Sequence, residues 1–191
     1  MSRVTKTLTL LVVAVLLAAG GYFAFQKFSE PVPAPLHLGA WRAHQLAGLR
    51  FDAPCEFQKS PLNLGAVQEF VENGELHGFK AEGFEITVLR TTYKPGVELN
   101  FDNAAQSAVD GFAQLDGVRD FQQTSSELTV SGKTARRISA TSTRWRKTAR
   151  LEMLLIADGQ TYSQVQVLSY GTGGDAAAAA DRLLKSVSLA P

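Results

Sequence analysis

The sequence predicts an α+β domain, an antiparallel β-sheet of hairpins with two packed helices, preceded by an N-terminal transmembrane helix. Short runs of alternating polarity, separated by turn dipeptides, recur along most of the chain and indicate strands. Two stretches switch to helical spacing. Between Lys6 and Lys27 lies TLTLLVVAVLLAAGGYFAFQ, 20 residues without a charge. At ~1.5 Å per residue such a helix spans ~30 Å, the thickness of a bilayer's hydrocarbon core.

Two readings of the N-terminus stand side by side. Ala18-Ala19-Gly20 offers the small residues that a signal peptidase accepts, which would leave a secreted or periplasmic domain. The apolar run nevertheless continues through Tyr22, Phe23, Ala24 and Phe25, past the usual signal-peptide core of about 7–15 residues. Aromatics at that end suit a membrane–water interface, so residues 1–27 are expected to be a signal-anchor. Arg3 and Lys6 before the span and the mixed Lys27 and Glu30 after it place the N-terminus in the cytoplasm and the main domain outside. No Cys follows the apolar run directly, which speaks against a lipid anchor. In residues 28–37, Pro31, Pro33 and Pro35 alternate, which favours an extended linker of ~3.1 Å per residue. Residues 38–191 are then the exported α+β domain.

Composition suits a folded domain, with 45% hydrophobic and 19% charged residues. Cys55 is the single cysteine, so no intrachain disulfide forms. It is either a buried, inert thiol or a site of pairing between chains, and small apolar surroundings favour burial. Net charge is +1, but its distribution is uneven. Residues 52–127 hold thirteen acids against five bases, whereas 133–150 hold seven bases and no acid.

Along the domain, 41–46 and 49–53 flank Ala47-Gly48, and 65–72 and 75–81 flank Asn73-Gly74, a type I′ hairpin signal. FEITVLRTTY (84–93) is rich in β-branched and aromatic residues and reads as a longer strand. Phe101, Ala104, Ala105, Ala108, Phe112 and Leu115 then recur at helical spacing, with Asn100 or Asp102 as cap and Gly117 beyond the end. Strands return at 118–130 and 134–145, joined by Ser131-Gly132-Lys133, and at 150–157 and 160–170 around Asp158-Gly159. Leu151 to Ile156 is apolar on both alternations and predicts a strand covered on both faces, while 134–145 is polar on both and predicts a place toward the edge. A helix over 175–186 follows, capped by Asp175 and lined by Ala176, Ala180 and Leu183, and 187–190 is a closing strand.

GLRFDAP (48–54), the paired stretches KTARRISATS (133–142) and RLEMLLIADGQTYSQVQVLS (150–169), and DRLLKSVSL (181–189) together resemble the PsbP/DcrB-type superfamily of small exported domains. The resemblance covers about residues 41–190 and rests on pattern rather than on signature residues. It implies an antiparallel sheet with flanking helices and an accessory or partner-binding role. It transfers no functional residue.

Chemical motifs are sparse. Gly171-Thr172-Gly173-Gly174-Asp175-Ala176 imitates a dinucleotide fingerprint, but no second parallel strand or ribose-binding acid follows before Pro191. His37, His44 and His77 show no metal spacing, and Glu72, Glu75 and His77 form at most a weak cluster on a solvated hairpin. No nucleophile elbow or Cys–His signature occurs. No catalytic residue, metal or cofactor is therefore expected, and the domain is expected not to be an enzyme. Arg136, Arg137, Arg144, Arg146, Lys147 and Arg150 are the candidate site for an anionic partner: lipid head groups, a cell-wall polymer or an acidic protein surface. Edge-strand charges that block aggregation are the plainer explanation for the same residues. Nucleic acid is not expected outside the cytoplasm. The sequence thus points to a single-pass protein of the inner membrane whose exported, non-enzymatic domain binds a protein or envelope component. The alternative is a small-ligand or metal-binding domain, or an enzyme with an unrecognised site, in the same compartment.

Overall fold

The computed structural model of the protein describes residues 39–62, 65–81, 83–144, 147–171 and 174–190. The predicted transmembrane helix and Pro-rich linker lie outside these residues. Among the described residues no helix is long and apolar enough to cross a membrane.

Alternating side chains and tight turns build ten strands among the described residues. They are β1 (Arg42–Leu46), β2 (Leu49–Ala53), β3 (Gln58–Ser60), β4 (Val71–Ala81), β5 (Phe84–Tyr93), β6 (Val118–Val130), β7 (Lys133–Arg144), β8 (Lys147–Asp158), β9 (Thr161–Tyr170) and β10 (Ser188–Leu189). A short 3-10 helix, Gly65–Phe70, precedes β4, and the two α-helices are α1 (Phe101–Ala113) and α2 (Gly174–Ser186). Seven strands form one sheet in the order β3-β4-β5-β9-β8-β7-β6, and β1-β2-β10 form a second, three-stranded sheet. Every pairing is antiparallel. The chain leaves the large sheet after β5, crosses through α1, and returns as the meander β6–β9, whose last strand pairs with β5.

Because successive side chains of a strand point to opposite faces, this sheet carries two separate cores. On one face Leu151, Met153 and Leu155 of β8 pack with Leu89, Ile138 and Tyr162 beneath Ala104, Ala105, Val109 and Phe112 of α1. On the other, Leu154 and Ile156 of β8 pack with Val165 and Val167 beneath Leu49 and Phe51 of β2 and Leu183 and Leu184 of α2. The doubly apolar run Leu151–Ile156 thus lies in the sheet interior with a cover on each side. Asn100 is the cap of α1, its side chain accepting from the Asn103 N–H at 3.0 Å. Ser186 at the end of α2 ties that helix to the small sheet, accepting from the Asp52 N–H at 2.8 Å.

Four expectations are corrected. Asn73-Gly74 makes no hairpin: both residues lie within β4, paired with Thr92 and Thr91. An I′ turn needs a strand on each side, and residues 65–70 are helical, so a bulge at Val71/Asn73 absorbs the irregularity instead. The strand over 134–145 is not at the edge. It stands next to the edge, with β6 outside it, and two of its polar side chains, Arg136 and Arg137, meet acids of the covering helices. The turn expected at Asp158-Gly159 is shifted by one residue, since Asp158 pairs with Thr161 and only Gly159 of the two turn residues has positive φ, at 60°. Asp175 lies inside the first turn of α2, not before it, and there favours the helix dipole.

The Ala47-Gly48 turn between β1 and β2 forms as read, with φ of 51° and 67°. A Cβ on Gly48 would stand 1.7 Å from Nη1 of Arg90, so the turn rests directly on that side chain of β5. Gly132, with φ of 77°, has nothing within 4 Å of its Cβ position. Gly132→Ala should therefore lower stability by strain alone, about 1 kcal/mol. Gly48→Ala should cost more, because Arg90 must also move aside. Denaturant midpoints of the two variants check this, and equal losses would show that Arg90 does not support the turn.

Candidate functional site

The basic segment predicted as an anionic-partner site is divided by the fold. Neighbours in a strand face opposite ways, so Arg136 and Arg137 of β7 lie on different faces of the sheet. Arg136 Nη2 donates to Asp102 of α1 at 2.6 Å and to Glu127 of β6 at 3.1 Å, with its guanidinium 5.4 Å from the Phe101 ring. The hydrogen bond to Asp102, more than that to Glu127, raises the Arg136 pKa further. On the other face Arg137 Nη1 donates to Asp181 of α2 at 2.9 Å, and its Nη2 lies 3.4 Å from Glu152 of β8. Glu152 also accepts from the Ser139 hydroxyl at 2.6 Å. Asp181 is held below the usual carboxylate range by Lys185 first and Arg137 second. Arg144 is buried, donating from Nε to the Asp116 carbonyl at 3.1 Å and from Nη1 to the Tyr170 hydroxyl at 2.8 Å. Lys147 is half-buried and Arg150 exposed at the start of β8, while Arg146 lies outside the described residues. The five described positions are therefore not one patch, and the acids that meet Arg136 and Arg137 come from other elements of the fold.

A second constellation, unread in the sequence, lies on the α1 face of the sheet. Glu85 of β5 is 8% exposed and stands opposite Lys80 of β4, whose Nζ is 3.5 Å away. Burial pushes the Glu85 carboxyl up to about 7, against the opposing pull of Lys80 and, more weakly, of Arg144. Tyr170, at the end of β9, is pushed up to about 12 by burial and then by Glu85, with Arg144 opposing. Lys80, Glu85, Arg144 and Tyr170 thus form one electrostatic group in which a carboxyl titrates near neutrality. On the same face of β9 runs a polar ladder: the Tyr162 hydroxyl donates to Gln164 Oε1, and Gln164 Nε2 donates to Gln166 Oε1, each at 2.9 Å. The ladder was legible in principle, since Tyr162, Gln164 and Gln166 recur with period two while Val165 and Val167 occupy the other face. Nothing local marks Glu85 as buried, because its cover comes from elements distant in sequence.

The remaining candidates are placed as follows. Glu75 and His77 share a face of β4, with Oε2 and Nε2 3.6 Å apart, but Glu72 lies on the same strand rather than across a hairpin. His44 stacks on Phe51 and meets Phe57 edge-on, with centroids at 5.8 and 5.2 Å, and its Nε2 is buried without a hydrogen-bond partner among the described residues. Among the described residues no three His, Cys, Asp or Glu side chains are gathered as metal ligands. Cys55 is buried, and burial, aided by Glu56, pushes its thiol up to about 12. An open cleft of ≈ 380 Å³ lies at the β3–β4 edge, lined by Glu56, Gln58, Ser60, Gly78, Phe79 and Lys80.

No protein-family model matches the chain, and no curated protein matches it. Among solved structures it is similar to LpqN of Mycobacterium tuberculosis, a protein involved in cell envelope biogenesis, at 12% identity and a TM-score of 0.45. That match covers 85% of this chain and 90% of LpqN. It is also similar to PA94 of Pseudomonas aeruginosa, a protein of unknown function, at 13% identity and a TM-score of 0.35 over 69% of this chain and 83% of that one. Membership of the PsbP/DcrB-type superfamily is not among these findings and stays a resemblance of pattern.

Two outcomes test this account. Glu85 binds its proton more tightly folded than unfolded, so between about pH 4.5 and 7 the folded state holds more protons and stability falls as pH rises. The fall is at most about 3 kcal/mol. Glu85→Gln should flatten it and raise stability at pH 8; a loss of stability there would show that the Lys80 pairing outweighs burial. Arg137→Gln should lower the unfolding free energy by about 1 kcal/mol, whereas Arg150→Gln should leave it within about 0.5 kcal/mol. Urea titrations of the two variants measure the difference.

Proposed function

We propose that this protein is a non-enzymatic accessory module, held in the inner membrane by residues 1–27 with its N-terminus cytoplasmic. The 28–37 linker presents the α+β domain outside, where it binds a protein or another envelope component. The uncharged run from Thr7 to Gln26, flanked by Arg3 and Lys6, is the single observation that carries this reading. The domain's own chemistry is in keeping with it. Arg136 and Arg137 are paired with Asp102 and Asp181 of the two helices, an arrangement suited to a stable scaffold. Of the anionic-partner candidates, Arg150 in β8 is the described position most exposed to a negatively charged surface.

The second reading, a small-ligand domain, is favoured by the cleft beside Lys80. Gly78 in its floor has room for a side chain, with Ile86 O and Ser60 Oγ both 3.9 Å from the Cβ position. A Gly78→Val variant would place its side chain in the cleft.

The full chain, expressed in membranes with a C-terminal tag, separates these readings. It should resist extraction by high salt and alkaline carbonate, and chemical crosslinking should recover an envelope component reproducibly. A mature N-terminus beginning near Gly20 would overturn the anchor. Native mass spectrometry showing a small molecule that is retained by the parent and lost in Gly78→Val would favour the ligand-binding alternative.

A further inference from the structure

β6 ends the large sheet, with β7 on one side and, among the described residues, no strand on the other. Its side chains are exposed from Gln122 to Thr129. The two-residue turn at Ser131-Gly132, with φ of 50° and 77°, makes Val130 and Lys133 a hydrogen-bonded closing pair. Counting back by two, Leu128, Ser126, Thr124 and Gln122 turn their N–H and C=O groups toward β7. Gln123, Ser125, Glu127 and Thr129 turn theirs outward.

Edges of this length are usually blunted by Lys, Pro, a bulge or a covering element. The bulge of β6 lies at Arg119/Gln122, beyond one end of the regular stretch. From Gln122 to Val130 there is no Lys, Arg or Pro, and the single charge, Glu127, is paired with Arg136 at 3.1 Å. On the α2 face stands Leu128, 38% exposed, beside a groove of ≈ 310 Å³ that includes Val130, Leu184 and Val187.

We propose that this edge pairs with the β6 edge of a second copy of the chain, antiparallel about a two-fold axis at Ser126, joining the two seven-stranded sheets into one. Ser126 is the midpoint of the bulge-free stretch 122–130, so this register uses all of it. Every outward residue then meets an outward residue: Glu127 faces the partner copy's Ser125, and Gln123 faces its Thr129. Leu128 faces the partner copy's Thr124, whose methyl group covers it, and loses its exposure to water. Neighbouring registers do worse. An axis at Glu127 sets two carboxylates opposite each other, one at Leu128 shortens the paired stretch, and one at Ser125 runs it into the bulge. Each Glu127 brings its own Arg136 to the seam, so no unbalanced charge is buried there. The pairing is independent of which envelope component the domain binds.

A cysteine scan in the full chain, in membranes, tests the register. In a Cys55→Ala background, Thr124→Cys, Ser126→Cys and Leu128→Cys are each oxidised with copper phenanthroline. On the axis, the non-hydrogen-bonded pair at 126 brings its Cα atoms to about 4.5 Å, within disulfide range. The 126 variant should give homodimer at least tenfold more efficiently than the 124 or 128 variant alone. Thr124→Cys with Leu128→Cys in one chain should restore the crosslink. Ser125→Pro removes an outward N–H without touching the β7 ladder, and should abolish the 126 crosslink while leaving the unfolding midpoint within a few degrees. Equal crosslinking at all three positions, no crosslink at 126, or an adduct with a different protein would overturn the proposal, the last by showing that a foreign strand occupies the edge.

Discussion

Two adjacent strands, β8 and β9, are buried on both faces along their central stretches, and the remaining elements are arranged to keep water from them. Leu151, Met153 and Leu155 face one way and Leu154 and Ile156 the other, all nearly inaccessible. Each such side chain contributes about 1.5–3 kcal/mol on burial, so leaving either face uncovered would remove most of the stability a domain this size possesses. On the α2 face the three-stranded sheet shares the cover with the helix, and Ser186, bonded to the Asp52 N–H, joins the two. The fold is a sheet with two roofs because its central strands require two.

The same alternation explains the fate of the charges. The basic stretch 133–150 looks like a patch when read linearly, yet period two sends Arg136 to α1 and Arg137 to α2. The acids that meet them, Asp102, Glu127, Glu152 and Asp181, come from four other elements. Charge asymmetry along the chain becomes charge pairing across the sheet. Pairs as exposed as Arg136 with Asp102 contribute little individually. They orient helices against strands, and this orienting role leaves fewer cations for an anionic partner than composition implies.

The α1 face departs from a simple apolar core. The Tyr162–Gln164–Gln166 ladder satisfies its own hydrogen bonds, as buried polar groups must, and fixes the rotamers of three adjacent side chains. Glu85 is different, because a buried carboxyl near neutrality is a cost that Lys80 only partly offsets. Of the candidate site, the Arg alternation on β7 and the shared face of Glu75 and His77 were readable from spacing. The burial of Glu85, the proximity of Arg144 to Tyr170 and the partners of Arg137 were not, because each depends on contacts across at least 15 positions in sequence.

What the sequence determined by itself was local. It set the period of each strand and helix, a cap at Asn100 or Asp102, the turn at Ala47-Gly48, and an uncharged N-terminal run of spanning length. These depend on residues within a few positions of one another, where φ preferences and alternation act directly. Tertiary structure decided the rest. Asn73-Gly74 carries a strong turn signal, yet continuous pairing of β4 with the long strand β5 keeps it extended. Which of two polar strands stands at the edge was also beyond local reading, because strand order follows from how β9 closes against β5. A strand's period says which faces it has; only its neighbours decide whether those faces, and its open edge, meet protein or water.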